Sequence, residues 1–117
     1  MFINLTNHPS DKWSAEQRDA AKEYGEIVDI PFPDISPETG EDAIKDLAEQ
    51  YVEKILSYTD NNAIVVHVMG EMTFVYALVT RLKENGIRCV ASTTERMVKE
   101  EDGKKISEFK FVQFREY

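Results

Sequence analysis

The sequence predicts an α/β fold, a three-layer Rossmann-like sandwich with parallel strand order 2-1-3-4 and an antiparallel C-terminal strand. Three observations carry this. Short β-branched runs alternate with segments of helical period, as in a sheet crossed by helices. Residues 63–69, Ala-Ile-Val-Val-His-Val-Met, form the most apolar run and have no polar face, which fits a central strand covered on both sides. Pro31 and Pro33 follow the second strand, and residues that cannot donate to a ladder belong at an edge. Right-handed crossovers then put the topological switch point between strands 1 and 3.

Each element has its own justification. Residues 1–6 read as an internal strand, stopped by the turn formers Asn7, Pro9 and Ser10. A helix can begin at Ser10 or at Ser14. Ser14-Ala-Glu-Gln17 matches a capping box, so the helix is placed over 14–24, with Gly25 as its stop. Residues 26–30 form the edge strand, and 34–40 a loop rich in Pro, Ser, Thr and Gly. In the helix over 41–58, Ile44, Leu47, Ala48, Tyr51, Val52, Ile55 and Leu56 make an apolar stripe. Its acidic first turn suits the helix dipole. Residues 59–62 are a turn before the central strand.

Gly70-Glu-Met-Thr73 then opens a third helix with almost no polar face between Met72 and Leu82. Such a helix is either sandwiched or covered by a second subunit. Asn85-Gly86 closes it. Residues 87–91 form the fourth strand, and 92–96, Ser-Thr-Thr-Glu-Arg, stand at its end. Asp102-Gly103 signals a hairpin between 97–100 and 104–114. Phe109, Phe111, Val112 and Phe114 make the last segment a buried strand.

Composition bounds the function. A chain of 117 residues, 42% of them hydrophobic, has the length of one folded domain over 1–117. Its formal charge of −8 argues against broad binding to duplex nucleic acid, which needs many Lys and Arg contacts to phosphate. The single cysteine, Cys89, excludes an internal disulfide and a Cys-based zinc site, and its apolar strand makes it a buried structural thiol. No cluster of His and carboxylates makes a metal site, so none is expected. No run approaches a membrane span and no charged segment precedes an apolar one, so the expectation is a cytoplasmic protein with no membrane partner.

Three polar clusters fall on one carboxyl edge of the predicted sheet: Asn7, His8 and Ser10; Gly70, Glu71 and Thr73; and Ser92, Thr93, Thr94, Glu95 and Arg96. Open α/β sheets bind ligands at that edge. The first cluster is otherwise only a turn. His8 is its titrating group, able to exchange a proton near neutral pH. His67, inside the apolar central strand, reads instead as a hydrogen-bonded core histidine. The second cluster lacks GxxxxGK[ST] and GxGxxG, and its plainer reading is a helix cap. A carboxylate there repels phosphate unless Glu71 turns outward or bonds a ribose or base. In the third, three hydroxyls followed by Arg96 can surround a phosphate; the alternative is a threonine-rich strand with a surface Glu-Arg pair.

Asn4-Leu-Thr-Asn-His-Pro-Ser10 with Trp13 and Ser14-Ala-Glu-Gln17, His67-Val-Met-Gly-Glu-Met-Thr-Phe74, Ala91-Ser-Thr-Thr-Glu-Arg96 and Phe111-Val-Gln-Phe-Arg-Glu-Tyr117 together resemble small stand-alone CRISPR-associated proteins. These are Rossmann-like proteins related to CARF domains, some of them ring nucleases. The resemblance spans most of the chain in layout, through short motifs. It implies a homodimer that binds cyclic oligoadenylate, an RNA-like second messenger of type III CRISPR systems, and that cuts it to switch signalling off.

Catalytic residues vary between branches of that group, so the site here rests on fold position: His8 as acid or base, Arg96 and Thr94 at the phosphate, and Asn7, Ser10, Gly70, Glu71, Thr73, Ser92 and Thr93 around the ligand. Two copies related by a two-fold axis suit a ring with rotational symmetry. Cleavage without a metal needs the ribose 2′-OH in line with the adjacent phosphate and donors for the developing charge. No cofactor is expected. The competing readings are a sensor or sponge that binds the nucleotide without chemistry and, more distantly, a flavodoxin-like regulatory domain. Flavin is disfavoured because the first loop lacks a phosphate cradle.

Overall fold

A computed structural model describes residues 1–58 and 63–117; the turn expected at 59–62 lies outside the described residues. One five-stranded sheet has the order β2-β1-β3-β4-β5, from β1 (Phe2–Leu5), β2 (Ile27–Asp29), β3 (Val65–Val68), β4 (Arg88–Glu101) and β5 (Lys104–Glu116). β1 pairs in parallel with β2 and β3, β3 with β4, and β5 closes the sheet antiparallel to β4. The predicted architecture and the edge position of the second strand are what is observed. Helices α1 (Ala15–Lys22), α2 (Glu41–Leu56) and α3 (Met72–Glu84) complete the layers.

The period-2 alternation of each strand sorts its side chains between two cores. Ile3, Leu5, Val66, Val68 and Cys89 face α2 and α3 and join Ile44, Ala48, Ile55, Phe74 and Leu78 in the larger core. Phe2, Val65 and Val90 face α1 and pack with Trp13, Ala21 and Phe114 in a smaller one. Burial raises the Cys89 thiol to about 11, as expected of a structural cysteine.

Helix α1 begins where the capping argument places it: Ser14 is the N-cap, and its hydroxyl accepts from the Gln17 amide at 3.2 Å. α3 is apolar around most of its circumference because it is sandwiched. Phe74, Val75, Ala77, Leu78, Val79 and Leu82 are buried, while Met72 and Tyr76 remain exposed. Packing against α2 and the sheet accounts for the buried side of the helix; the outward side carries Met72 and Tyr76.

The largest departure from expectation is at the C-terminus. The fourth strand does not stop at residue 91. β4 runs on to Glu101 and pairs with β5 down to Glu101↔Lys104, with a register shift at Thr93/Thr94. Beyond His67↔Val90 it has left its other neighbour, so residues 91–115 form a two-stranded arm. The turn is the expected Asp-Gly hairpin, with Asp102 at φ 52° and Gly103 at φ 77°, the positive pair that a two-residue hairpin needs. The last strand is not buried along its length. Phe111 is buried, but Phe109 is 69% and Val112 55% exposed.

Candidate functional site

A cleft of about 890 Å³ opens on the α1 side of the sheet, at its carboxyl edge. One wall is the segment that leaves β1 and enters α1, with His8, Lys12 and Trp13; the other is the arm, with Ser92, Thr94, Phe109 and Lys110. Between them lie Thr6 and His67. The cleft exists because the arm stands over a sheet face that carries one short helix.

The first wall is built from a buried polar network. Asn4, 1% exposed, donates from Nδ2 to Asp29 Oδ1 at 2.8 Å and to the His8 carbonyl at 2.9 Å. The same carbonyl accepts from Trp13 Nε1 at 3.1 Å, tying the loop to the smaller core. Asp29 in turn accepts from the Ser10 amide and hydroxyl, at 3.2 and 2.8 Å. Asn4 Oδ1 accepts from Thr6 Oγ1 at 2.9 Å and faces His67 Nδ1 at 3.0 Å. These bonds hold the His8 backbone and leave its side chain exposed in the cleft.

His67 is 2% exposed and walled by aromatic rings. Phe2 stacks on it at 6.0 Å, and Trp13 and Phe114 meet it edge-on at 5.6 and 5.2 Å. Desolvation in this setting, with the nearby His8 charge as a smaller cause, lowers its pKa to about 4, so the ring is neutral at pH 7. Among the described residues its Nε2 has no hydrogen-bond partner.

The sequence-predicted residues divide clearly. His8, Asn7, Gly70, Ser92 and Thr94 line the cleft. Ser92 reaches it with its hydroxyl 3.0 Å from Met69 Sδ. Ser10 is committed to Asp29. Thr93 lies outside, donating its hydroxyl to the Gln113 carbonyl at 3.2 Å. Arg96 also lies outside: within the arm, its Nη2 and Nε donate to Ser107 Oγ at 3.0 and 3.3 Å.

The start of α3 is occupied by its own cap. Glu71 accepts from the Thr73 and Phe74 amides at 3.0 and 2.9 Å and from the Thr73 hydroxyl at 2.6 Å. Those bonds, the Thr73 hydroxyl first, hold the Glu71 carboxyl below its ordinary value. The Thr73 and Phe74 amides are therefore taken, and Glu71 and Thr73 read as cap residues, the plainer of the two sequence readings. Gly70 has φ +159°, and a Cβ there would overlap the Phe32 ring, so this position requires glycine.

The sequence reads His67 as a hydrogen-bonded core histidine, as its burial and its contact with Asn4 show, but not as part of the cleft lining, and it does not single out Lys12, Trp13, Phe109 or Lys110 for the site. The signal for His67 was present: it and Asn4 are the two strongly polar residues in two apolar strands, and parallel pairing puts them in register as Asn4↔His67. Lys110 and Phe109 carried no such signal, since their place depends on a strand that continues past its sheet. Among the described residues no three His, Cys, Asp or Glu side chains converge as a metal site requires, and no helix is long and apolar enough to cross a membrane.

The model of the uncharacterized protein MJ1673 family matches residues 1–115, and the chain belongs to that family. No curated protein and no solved structure matches it.

Proposed function

For this member of the MJ1673 family we propose that the cleft binds cyclic oligoadenylate and cleaves it as a ring nuclease, switching off CRISPR signalling of type III. The observation that supports this is the gathering of both of the chain's histidines, four hydroxyl side chains, two lysines and the exposed Phe109 in one cleft at the switch point. Its volume, about 890 Å³, suits a ligand of nucleotide class. Lys12 and Lys110 supply charge for phosphate, Ser92 and Thr94 supply donors, and the exposed Phe109 offers a face for adenine.

The reaction is transesterification. The 2′-oxygen attacks the adjacent phosphorus, the bond from phosphorus to the 5′-oxygen breaks, and a 2′,3′-cyclic phosphate and a 5′-hydroxyl result. A base takes the 2′-hydroxyl proton and an acid returns one to the leaving oxygen. The exposed His8 takes the acid role and His67 the base role. Arg96 is left out because its guanidinium is engaged on the arm. The ring's symmetry suits two protomers presenting two clefts, which makes the active form a homodimer.

A second reading, a sensor or sponge that binds without cutting, is favoured by one observation. His67 is 2% exposed, so chemistry requires the ligand to reach a ring enclosed by three aromatics, whereas binding does not. The test is incubation of the protein with labelled cyclic tri-, tetra- and hexa-adenylate in EDTA, followed by chromatography. Linear product is expected. Retained but intact ring would establish the second reading, and failure to retain any ring would overturn both.

A further inference from the structure

Asp29, Asn4 and His67 form a row across three adjacent strands, in register as Asn4↔Asp29 and Asn4↔His67. The row crosses the switch point between β1 and β3. Both amide protons of Asn4 are placed, one on the Asp29 carboxylate and one on the His8 carbonyl. Turning the amide over would set its oxygen against those two acceptors, so the hydrogen-bond network fixes which atom is oxygen. That oxygen faces His67 Nδ1 at 3.0 Å and can only accept, so Nδ1 carries the proton. A neutral ring protonated at Nδ1 has a bare lone pair at Nε2, the atom that is buried and without a partner among the described residues. The ring belongs to the cleft wall, and Phe2, Trp13 and Phe114 hold its plane.

We propose that Asp29 and Asn4 are positioning residues that lock His67 in the Nδ1–H tautomer, so that its Nε2 is the proton acceptor the cleft offers a ligand hydroxyl. In ring cleavage, which rests on the function proposed above, that hydroxyl is the ribose 2′-OH: its proton passes to Nε2 as the 2′-oxygen bonds phosphorus, and the departing 5′-oxygen takes a proton from His8, the acid assigned above. Asp29 is also the residue that holds Ser10, so the same carboxylate orders the loop bearing His8 and sets the tautomer of His67.

The experiment is nitrogen NMR of the full chain labelled in its histidines, run beside turnover and binding of cyclic tetra-adenylate. His67 is expected as a single Nδ1–H tautomer at pH 7, with Nε2 at the shift of an unprotonated nitrogen. Asp29 lies on an exposed edge strand, so Asp29→Leu is the informative variant. It should yield mixed tautomers and at least tenfold slower turnover, with affinity changed less than threefold, a modest share of the range that general acid–base catalysis spans. Asp29→Asn retains an acceptor oxygen and should restore both tautomer and rate. His67→Gln should slow cleavage by about 10² or more while still binding.

A wild-type ring protonated at Nε2, or a folded Asp29→Leu protein with wild-type tautomer and rate, would overturn the proposal. So would undiminished turnover in His67→Gln. If Asp29→Leu does not fold, the wild-type spectrum alone decides. A protein with the expected tautomer that binds no cyclic tetra-adenylate would leave the relay standing and remove the nucleotide reading.

Discussion

The cost of enclosing an imidazole among Phe2, Trp13 and Phe114 falls on its charged form, and this links a residue to the stability of the whole chain. In the unfolded chain a histidine titrates near 6.5, whereas folded His67 titrates at about 4. Between those values the unfolded state binds a proton that the folded state refuses. The contribution is fully present above about pH 6.5 and is lost as pH falls towards 4, amounting to about 3 kcal/mol over that interval. Urea unfolding as a function of pH should therefore show wild type losing more stability between pH 6.5 and 4 than His67→Phe. Parallel curves for the two proteins would mean that the ring protonates without penalty. At this scale the reading of His67 as a hydrogen-bonded core histidine holds, and what the sequence left open was its partner. A histidine between two valines satisfies both a core reading and a site reading, and only the partner strand distinguishes them. Asn4 holds one ring nitrogen, and the other is left buried and without a partner among the described residues.

Elements were more legible than residues where their signals are local. The Ser14 cap, the apolar stripe of α2 and the Asp102-Gly103 turn depend on neighbours within a few positions, and each stands where the sequence puts it. The arm does not. Thr, Val and Phe favour a strand whether or not a sheet continues beside it, so nothing in 92–114 records that β3 has ended. This carried Thr93 and Arg96 out of the proposed phosphate cluster and brought Phe109 and Lys110 in. Phe109 separates a binding role from a packing role, since at 69% exposure its removal leaves little cavity. Phe109→Ala should change unfolding free energy by no more than about 0.5 kcal/mol. Loss of base stacking should weaken cyclic tetra-adenylate binding by about 1–3 kcal/mol, measured by calorimetry. The β3–α3 junction gives the opposite pattern. Gly70→Ala places a methyl group into Phe32 at a positive φ and should cost about 1–3 kcal/mol in urea unfolding, as overpacking does. An unchanged midpoint would show that Phe32 swings away freely.

For the whole molecule, the formal charge of −8 and the charges of the cleft pull in different directions. The surface repels a long polyanion at distances beyond the site, and screening by salt relieves that repulsion. Lys12 and Lys110 share the cleft lining with Glu16 and Glu108, and a ligand short enough to sit inside gains from the lysines without meeting the rest of the surface. Counterion release then sets a measurable slope. Two lysine contacts to a single-stranded ligand give a fall of log K with log salt of about −1.4, against much steeper values for proteins that follow a long backbone. Titrations of cyclic tetra-adenylate at several salt concentrations should return that shallow slope for wild type. Lys110→Ala should reduce its magnitude by about 0.7, the share of one phosphate contact. Arg96→Ala should leave it unchanged, because that guanidinium is bonded to Ser107 out along the arm. A slope several times steeper, or one that responds to Arg96 and ignores Lys110, would place the phosphates along the arm and away from the cleft.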